Sequence, residues 1–336
     1  MDENNSQLRV LVTGATGFVG SALASYFYAQ GMHVRALTRD LKHPLVIQNP
    51  QYEWVLADMT DHHALMHLCD NMDYVFHAAG FAHATKDSNP EFQKKHHQLN
   101  YQATINLAKV AASANVKRFI FFSTIKACAD AQGCVDETHD AYPVDAYGIS
   151  KRSAEEKLLK IASETKMDVV ILRLSLVYGV GWKGNLAAML KAIDKNWFPP
   201  IPAVNNQKSM VSLHDVCLAA KCAAFSELKS NRIFIVTDGH FYSTYMIYQL
   251  MRKALGKPQN QWALPLWIWR FFSKFADLFQ KITRRELPIN SEAVEKLFGN
   301  SKYRSLYAEN EIGYIPQFTF ESTLPEIIAG YRSSLS

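Results

Sequence analysis

Short apolar runs alternate with longer stretches of helical spacing through the first half of the chain, at 8–13, 34–38, 52–57, 74–78, 119–123 and 169–174. Runs that are apolar throughout, each followed by a helix, belong in a parallel sheet covered on both faces. The expectation is an α/β protein with a Rossmann-like, doubly wound parallel sheet, whose ligands lie beyond the carboxyl ends of its strands. After about residue 176 the rhythm breaks into loops, the turn Phe198-Pro199-Pro200-Ile201-Pro202, a short strand near 233–237 and several helices. Residues 1–175 are therefore expected to form the sheet domain and 176–336 a smaller C-terminal lobe, with some exchange of chain between them.

One segment of that lobe departs from an ordinary surface helix. Ala263-Leu264-Pro265-Leu266-Trp267-Ile268-Trp269 leads into a helix whose Ile268, Phe271, Phe272, Phe275, Phe279 and Ile282 follow helical spacing. Arg270, Lys274, Asp277 and Lys281 interrupt it too often for a membrane span, which needs about 20 mostly apolar residues. Two readings stand for 263–282: the apolar face caps a core or a lobe interface, or it lies in a membrane surface with Arg284 and Arg285 beside it.

The candidate chemistry begins where the first apolar run turns into a helix, at Thr13-Gly14-Ala15-Thr16-Gly17-Phe18-Val19-Gly20. A turn this tight needs residues without Cβ, and the unpaired amides of the following helical turn attract a pyrophosphate. Gly14, Thr16, Gly17, Phe18, Val19 and Gly20 are thus candidate dinucleotide contacts, making 1–175 an NAD(P)-binding domain. Asp58 and Met59 follow the third strand, where a carboxylate can accept from an adenine amino group. Ala78, Ala79 and Gly80 follow the fourth and let a cofactor lie close. At the end of the second strand an acidic residue would hold the ribose hydroxyls of NAD; Thr38 and Arg39 stand there instead, which favours NADP over NAD, although Asp40 comes one residue later.

Thr124 closes the fifth strand, and Tyr147-Gly148-Ile149-Ser150-Lys151 opens a helix. Four residues make one helical turn, so Tyr147 and Lys151 share a face. A phenol is a poor base at neutral pH, but an ammonium beside it favours the phenolate, so Tyr147 can act as acid or base.

With these motifs the chain resembles an extended short-chain dehydrogenase/reductase of the NAD-dependent epimerase/dehydratase family. Phe121-Phe122-Ser123-Thr124, Leu172-Arg173-Leu174-Ser175-Leu176-Val177-Tyr178-Gly179 and 208–216 carry the resemblance further. It implies that Thr124 bonds the reacting oxygen, that Tyr147 moves the proton, and that Lys151 lowers the tyrosine pKa while binding the nicotinamide ribose. Gly179 to Asn185 resembles bacterial enzymes acting at carbon 4 of UDP-N-acetylhexosamines or of undecaprenyl-diphosphate sugars. His83, Lys183, Asn185 and Lys208 are the corresponding substrate candidates, while Leu176 and Lys208 depart from the asparagine and arginine common in that family. The expected activity is oxidoreduction at carbon 4 of a nucleotide-diphospho-sugar, by a 4-epimerase or a 4-keto reductase. A hydroxysteroid or lipid-linked-sugar oxidoreductase and a non-catalytic dinucleotide binder are the alternatives. The resemblance also implies a homodimer built on helices near 99–113 and 153–164; Ala103, Leu107, Val110 and Ala111 offer an apolar stripe for it, or for the sheet.

Composition narrows the partners. The 36 Lys and Arg against 31 Asp and Glu are spread along the chain and form no stripe of the kind nucleic acid requires. Five cysteines without a C-x-x-C pair point to free thiols in a reducing compartment. With the polar start Met1-Asp2-Glu3-Asn4-Asn5, this predicts a cytoplasmic protein, with the inner face of the membrane as the place where 263–282 could touch lipid. His63 and His67 have metal-pair spacing but no third ligand nearby, so a solvated helix face and no metal are expected.

Overall fold

The structure, a computed structural model, describes residues 8–82, 90–129, 133–228, 231–258, 263–283 and 291–334, with backbone only at 278–283 and 292. In chain order the elements are β1 (Arg9–Thr13), α1 (Phe18–Ala29), β2 (His33–Thr38), α2 (Pro44–Gln48), β3 (Glu53–Leu56), α3 (His62–Leu65), β4 (Tyr74–His77), α4 (Pro90–His96), α5 (Ala103–Ser113), β5 (Arg118–Thr124), α6 (Ala146–Glu164), β6 (Asp168–Leu174) and β7 (Leu176–Tyr178). There follow α7 (Asn185–Asp194), β8 (Lys208–Ser212), α8 (Leu213–Phe225), β9 (Arg232–Val236), β10 (Phe241–Tyr242), α9 (Thr244–Ala254), α10 (Leu266–Thr283), α11 (Ser291–Phe298), α12 (Ala308–Ile312) and α13 (Phe320–Ser333). The chain divides into two units. The first takes residues 1–177, 213–237 and 303–317; the second takes 178–212, 238–302 and 318–336.

In the first unit seven strands form one sheet in the order β3-β2-β1-β4-β5-β6-β9, parallel at every pairing. This is the Rossmann-like doubly wound arrangement that the alternating pattern predicts, and its order reverses between β1 and β4. One expectation is corrected: the strand near 233–237 is β9, the seventh strand of this sheet and not part of the smaller lobe. It pairs with β6 from Val170↔Arg232 to Leu174↔Val236, and burying Phe234, Ile235 and Val236 drives it there.

Helices cover both faces. Phe27 of α1 stacks on Phe76 of β4 with ring centroids 4.1 Å apart, and burial of such a ring contributes about 1.5–3 kcal/mol. Opposite, α5 and α6 bring Leu107, Ala111, Leu158 and Ile161 onto Phe119, Phe121 and Ile171. Ala103, Leu107 and Ala111 are buried in this core and Val110 packs against it, so the stripe offered for a dimer covers the chain's own sheet.

Two buried arginines tie the unit together. Arg118 donates to the carbonyls of Ala223, Ala224 and Ser226 at the end of α8, closing acceptors that a helix leaves open, and pairs with Asp168 at 3.0 Å. Arg173 of β6, only 1% exposed, grips the fully buried Glu155 of α6 through Nε and Nη2, the latter at 2.6 Å.

In the second unit β10 pairs antiparallel with β8 through Phe241↔Ser209 and Tyr242↔Lys208. Tyr178 and Tyr242 donate to one carboxylate oxygen of Asp238 at 2.9 and 2.8 Å, with Phe320 against both rings. In α10 the buried residues are Trp269, Ser273 and Ala276, and Trp269 packs edge-on to Phe298 of α11. Trp267, Phe271, Phe272 and Phe275 face outward instead, at 60–68% exposure. The reading in which these aromatics cap a core is thereby corrected: the packed side of α10 is the one centred on Trp269. Phe279 and Ile282 lie outside the described side chains. No described helix is long and apolar enough to cross a membrane.

Removing one partner of a buried pair leaves the other charge uncompensated. Glu155→Gln is expected to lower the unfolding free energy by about 3 kcal/mol, read as a fall in urea midpoint; an unchanged midpoint would show that Arg173 finds another acceptor.

Candidate active site

The carboxyl ends of β1, β4 and β5 supply the floor of the candidate site, and the first turns of α6 supply its side chains. At the end of β1 the chain enters Gly14 with φ +68°, a left-handed conformation that side chains resist. A Cβ there would also stand 2.8 Å from the Ala79 nitrogen, so Gly14 allows β1 and the segment after β4 to close on each other. The Gly17 amide turns back to the Gly14 carbonyl at 2.7 Å, and Gly17 becomes the N-cap of α1 without offering a side chain. Phe18 and Val19 are part-exposed in the first turn, which holds no acidic residue, and Thr16 lies in the turn before it. Backbone amides with no side-chain cap and no nearby carboxylate suit an anion.

Beneath this loop runs a chain of buried hydrogen bonds. The Ala79 amide donates to Thr13 Oγ1, whose hydroxyl lies 2.7 Å from His77 Nδ1; His77 Nε2 lies 2.8 Å from Thr104 Oγ1, which donates to the Asn100 carbonyl. Since the Thr104 proton goes to Asn100, His77 Nε2 carries a hydrogen and Nδ1 accepts from Thr13. That is the neutral imidazole. Burial, aided by the Lys151 charge, pushes His77 down to about 3, in keeping with this tautomer. The Asn100 side chain receives the Phe81 amide and donates to Ser150 Oγ, which itself donates to the Tyr147 carbonyl. The end of β4 and the start of α6 are thereby held in fixed relation.

Asp145 caps α6 by accepting from the Gly148 amide at 2.8 Å, which starts the helix just before Tyr147. Lys151 is 5% exposed, donates to the Phe122 carbonyl at 2.9 Å and lies 4.5 Å from the Phe121 ring centroid. A Cβ on Gly80 would come within 3.3 Å of its Nζ. Burial pulls Lys151 down to about 8, while Glu155, one turn further on, opposes the shift. Burial pushes the Tyr147 phenol up to about 12; a hydrogen bond from Thr124 pulls it back and the Asp145 charge adds to the rise. Thr124 Oγ1 accepts from the Lys126 amide at 3.3 Å, so its own proton is free to serve the phenol oxygen. Lys151 is not among the groups that shift the phenol here, and burial sets the direction in the protein alone.

Around this centre, Asp58 Oδ1 accepts the amide and hydroxyl of Thr60, both at 2.8 Å. Those bonds hold its pKa below the ordinary carboxylate value, with help from the Arg39 charge. Oδ2 has no partner among the described residues. Met59 is buried, Ala78 and Ala79 are part-exposed and Gly80 is exposed. Arg39 is exposed at the end of β2, beside Thr38, whose hydroxyl faces the Asp40 backbone.

The candidates for substrate fare differently. His83 lies outside the described residues. Lys183, Asn185 and Lys208 all belong to the second unit: Lys183 is exposed, Asn185 is exposed at the start of α7, and Lys208 Nζ donates to the carbonyls of Lys296 and Gly299 at 2.8 and 3.1 Å. Lys208 thus caps the end of α11, and burial lowers it to about 8. Among the described residues no cluster suits a metal ion, and His67 pairs with Asp70 at 2.9 Å. Two elements escaped sequence reasoning: the His77 chain, and the Glu155–Arg173 pair with Ser123, whose hydroxyl donates to Glu155 at 2.5 Å. The second carried a signal, because Glu155 lies four residues after Lys151 and Arg173 is the lone cation of an apolar strand.

A parallel sheet with a glycine turn at β1 and a tyrosine-lysine helix after β5 defines a dinucleotide-dependent enzyme. Residues 10–229 match the NAD dependent epimerase/dehydratase family, and the chain belongs to it. It is 32% identical over 326 residues to a UDP-glucose 4-epimerase of Vibrio cholerae, covering 93% of this chain and 92% of that protein. It is 24% identical to an N-acetyl-α-D-glucosaminyl-diphospho-ditrans,octacis-undecaprenol 4-epimerase of Escherichia coli O157:H7, over 94% of this chain and 92% of the other. Among solved structures it is similar to MoeE5 in complex with UDP-glucose and NAD, at TM-score 0.77 and 20% identity, over 98% of this chain and all of that one. The residues present fit the dinucleotide: the first turn of α1 has no side-chain cap and no acidic residue, and the buried Lys151 ammonium has a single hydrogen bond among the described residues.

The His77 network has a pH consequence with a definite sign. The unfolded chain takes up the His77 proton near its ordinary value of 6.5 and the folded chain only near 3, so the stability is complete above pH 6.5 and drains as pH falls towards 3. Going from pH 7 to pH 5 is expected to cost about 2 kcal/mol through this group. Urea melts of His77→Asn across that range should show a slope shallower by about one proton; an equal slope would contradict a neutral buried His77.

Proposed function

We propose that the protein is an NAD(P)-dependent oxidoreductase acting at carbon 4 of a nucleotide-diphospho-sugar, as a UDP-hexose or UDP-N-acetylhexosamine 4-epimerase. The observation that carries the reading is the hydrogen bond between Thr124 and Tyr147 at the carboxyl end of β5, with Lys151 one turn on bonded to the Phe122 carbonyl of the same strand. The relationship to a UDP-glucose 4-epimerase over nearly the whole length supports the substrate class. The nicotinamide supplies hydride uptake at carbon 4 and hydride return. Tyr147 takes the 4-hydroxyl proton as the C–H bond breaks and gives it back as the new C–H bond forms, so the reaction is balanced without net oxidation. Thr124 donates to the same oxygen. To Lys151, one helical turn on, falls the positive charge that favours the phenolate once a cationic ring is bound. A sugar that turns over between the two steps returns as the 4-epimer; a 4-keto reductase would instead consume NADPH.

Incubation with UDP-glucose or UDP-N-acetylglucosamine and no added coenzyme tests this, and formation of the galacto isomer is the expected result. Turnover of only 4-keto sugars, with stoichiometric NAD(P)H, would replace the epimerase with the reductase; turnover of a hydroxysteroid alone would overturn both. Tyr147→Phe should cut the rate by at least about 100-fold and leave coenzyme affinity nearly unchanged in a titration of NADH fluorescence; lost affinity with retained rate would contradict the assignment.

The second strand supports NADP over NAD. It ends in Thr38 and the exposed Arg39, and the first carboxylate, Asp40, comes one residue later. Arg39→Ala is expected to weaken NADP binding by about tenfold, as for loss of one charge-assisted phosphate contact, with little change for NAD; equal effects on both would remove the preference.

A further inference from the structure

α10 has three distinct faces. Trp269, Ser273 and Ala276 are buried within the second unit. Trp267, Phe271 and Phe275, spaced by four, form an outward stripe widened by Phe272, each at least 60% exposed. Arg270 and Lys274, also spaced by four, border that stripe on its other side. Neither cation forms an ion pair among the described residues, and both line an open cavity of about 640 Å³ together with Asn205, Ser291, Glu295 and Asn300. The one carboxylate of the helix, Asp277, accepts from the Ser291 amide at 3.2 Å, which ties it to α11. What remains outward is a continuous aromatic surface with cations along one edge.

Water is a poor neighbour for such a surface, and contiguous apolar patches of this kind mark interaction sites. We propose that this face of α10 docks on an anionic lipid bilayer, with the helix in the plane of the interface. The aromatic rings then enter the boundary between headgroups and acyl chains, and Arg270 and Lys274 meet lipid phosphates. Charge selects this occupant. A second copy seated on the face would bring the same two cations with Glu295 of α11 as the one carboxylate in the described lining beside them, whereas a phosphate surface supplies an anion for each. The proposal stands apart from the redox reading, since it rests on residues of the second unit and the candidate catalytic groups belong to the first.

Co-sedimentation of the full chain with phosphatidylcholine vesicles, with and without about one-third phosphatidylglycerol, tests the docking. The expected result is binding to the anionic vesicles that is at least about tenfold weaker on pure phosphatidylcholine or at high salt. The triple variant Phe271→Ser, Phe272→Ser, Phe275→Ser should lose at least about tenfold in binding, since burial of rings drives insertion. Arg270→Gln with Lys274→Gln should retain weak binding but lose the preference for anionic lipid. Both variants change exposed positions, so unaltered thermal melting serves as the control for folding. The proposal is overturned if the parent chain ignores both vesicles, or if the charge variant keeps the full anionic preference. It is equally overturned if the parent proves to be a dimer that the aromatic variant dissociates, which would give the face to a second copy.

Discussion

A buried lysine ammonium is the constraint around which the first unit is organised. Lys151 sits 5% exposed at the carboxyl edge of the sheet, and burial alone would strip its charge. Burial brings it down only to about 8, because the carboxylate of Glu155 one turn away opposes the loss; the Phe122 carbonyl and the face of Phe121 contact the ammonium. Glu155 has no freedom of its own. It is locked by Arg173 from β6 and by the hydroxyl of Ser123, the neighbour of Thr124. One carboxylate therefore fixes the helix that carries Tyr147 and the strand end that carries Thr124, which keeps the acid-base pair in register without any loop being required to do so.

The strand-helix rhythm and the glycine turn were legible because both are local: a period of residues, and a backbone conformation that few residues adopt. The shared face of Tyr147 and Lys151 was legible for the same reason. β9 was misassigned because a five-residue apolar run does not say which sheet it joins; it is separated from its partner β6 by β7, α7, β8 and α8. The capping of α11 by Lys208 was not legible because its carbonyl partners, Lys296 and Gly299, lie far along the sequence. The face of α10 was ambiguous because both of its sides are apolar, and only packing chose Trp269 and Ala276 for burial.

The two units differ in what they hold. The first carries the residues proposed to bind the coenzyme and move the proton, on rigid elements tied by buried hydrogen bonds. The second carries Lys183, Asn185 and the outward aromatic face of α10.

The central claim is that the Tyr147 phenol, lifted by burial to about 12 in the protein alone, becomes an effective base when a cationic ring joins Lys151 beside it. Titrating the Tyr147 ring by carbon NMR, with and without bound oxidised coenzyme, measures this directly. The expected result is a downward shift of several units on binding, most of it abolished by Lys151→Met. A phenol that titrates at the same pH in both states would contradict the account.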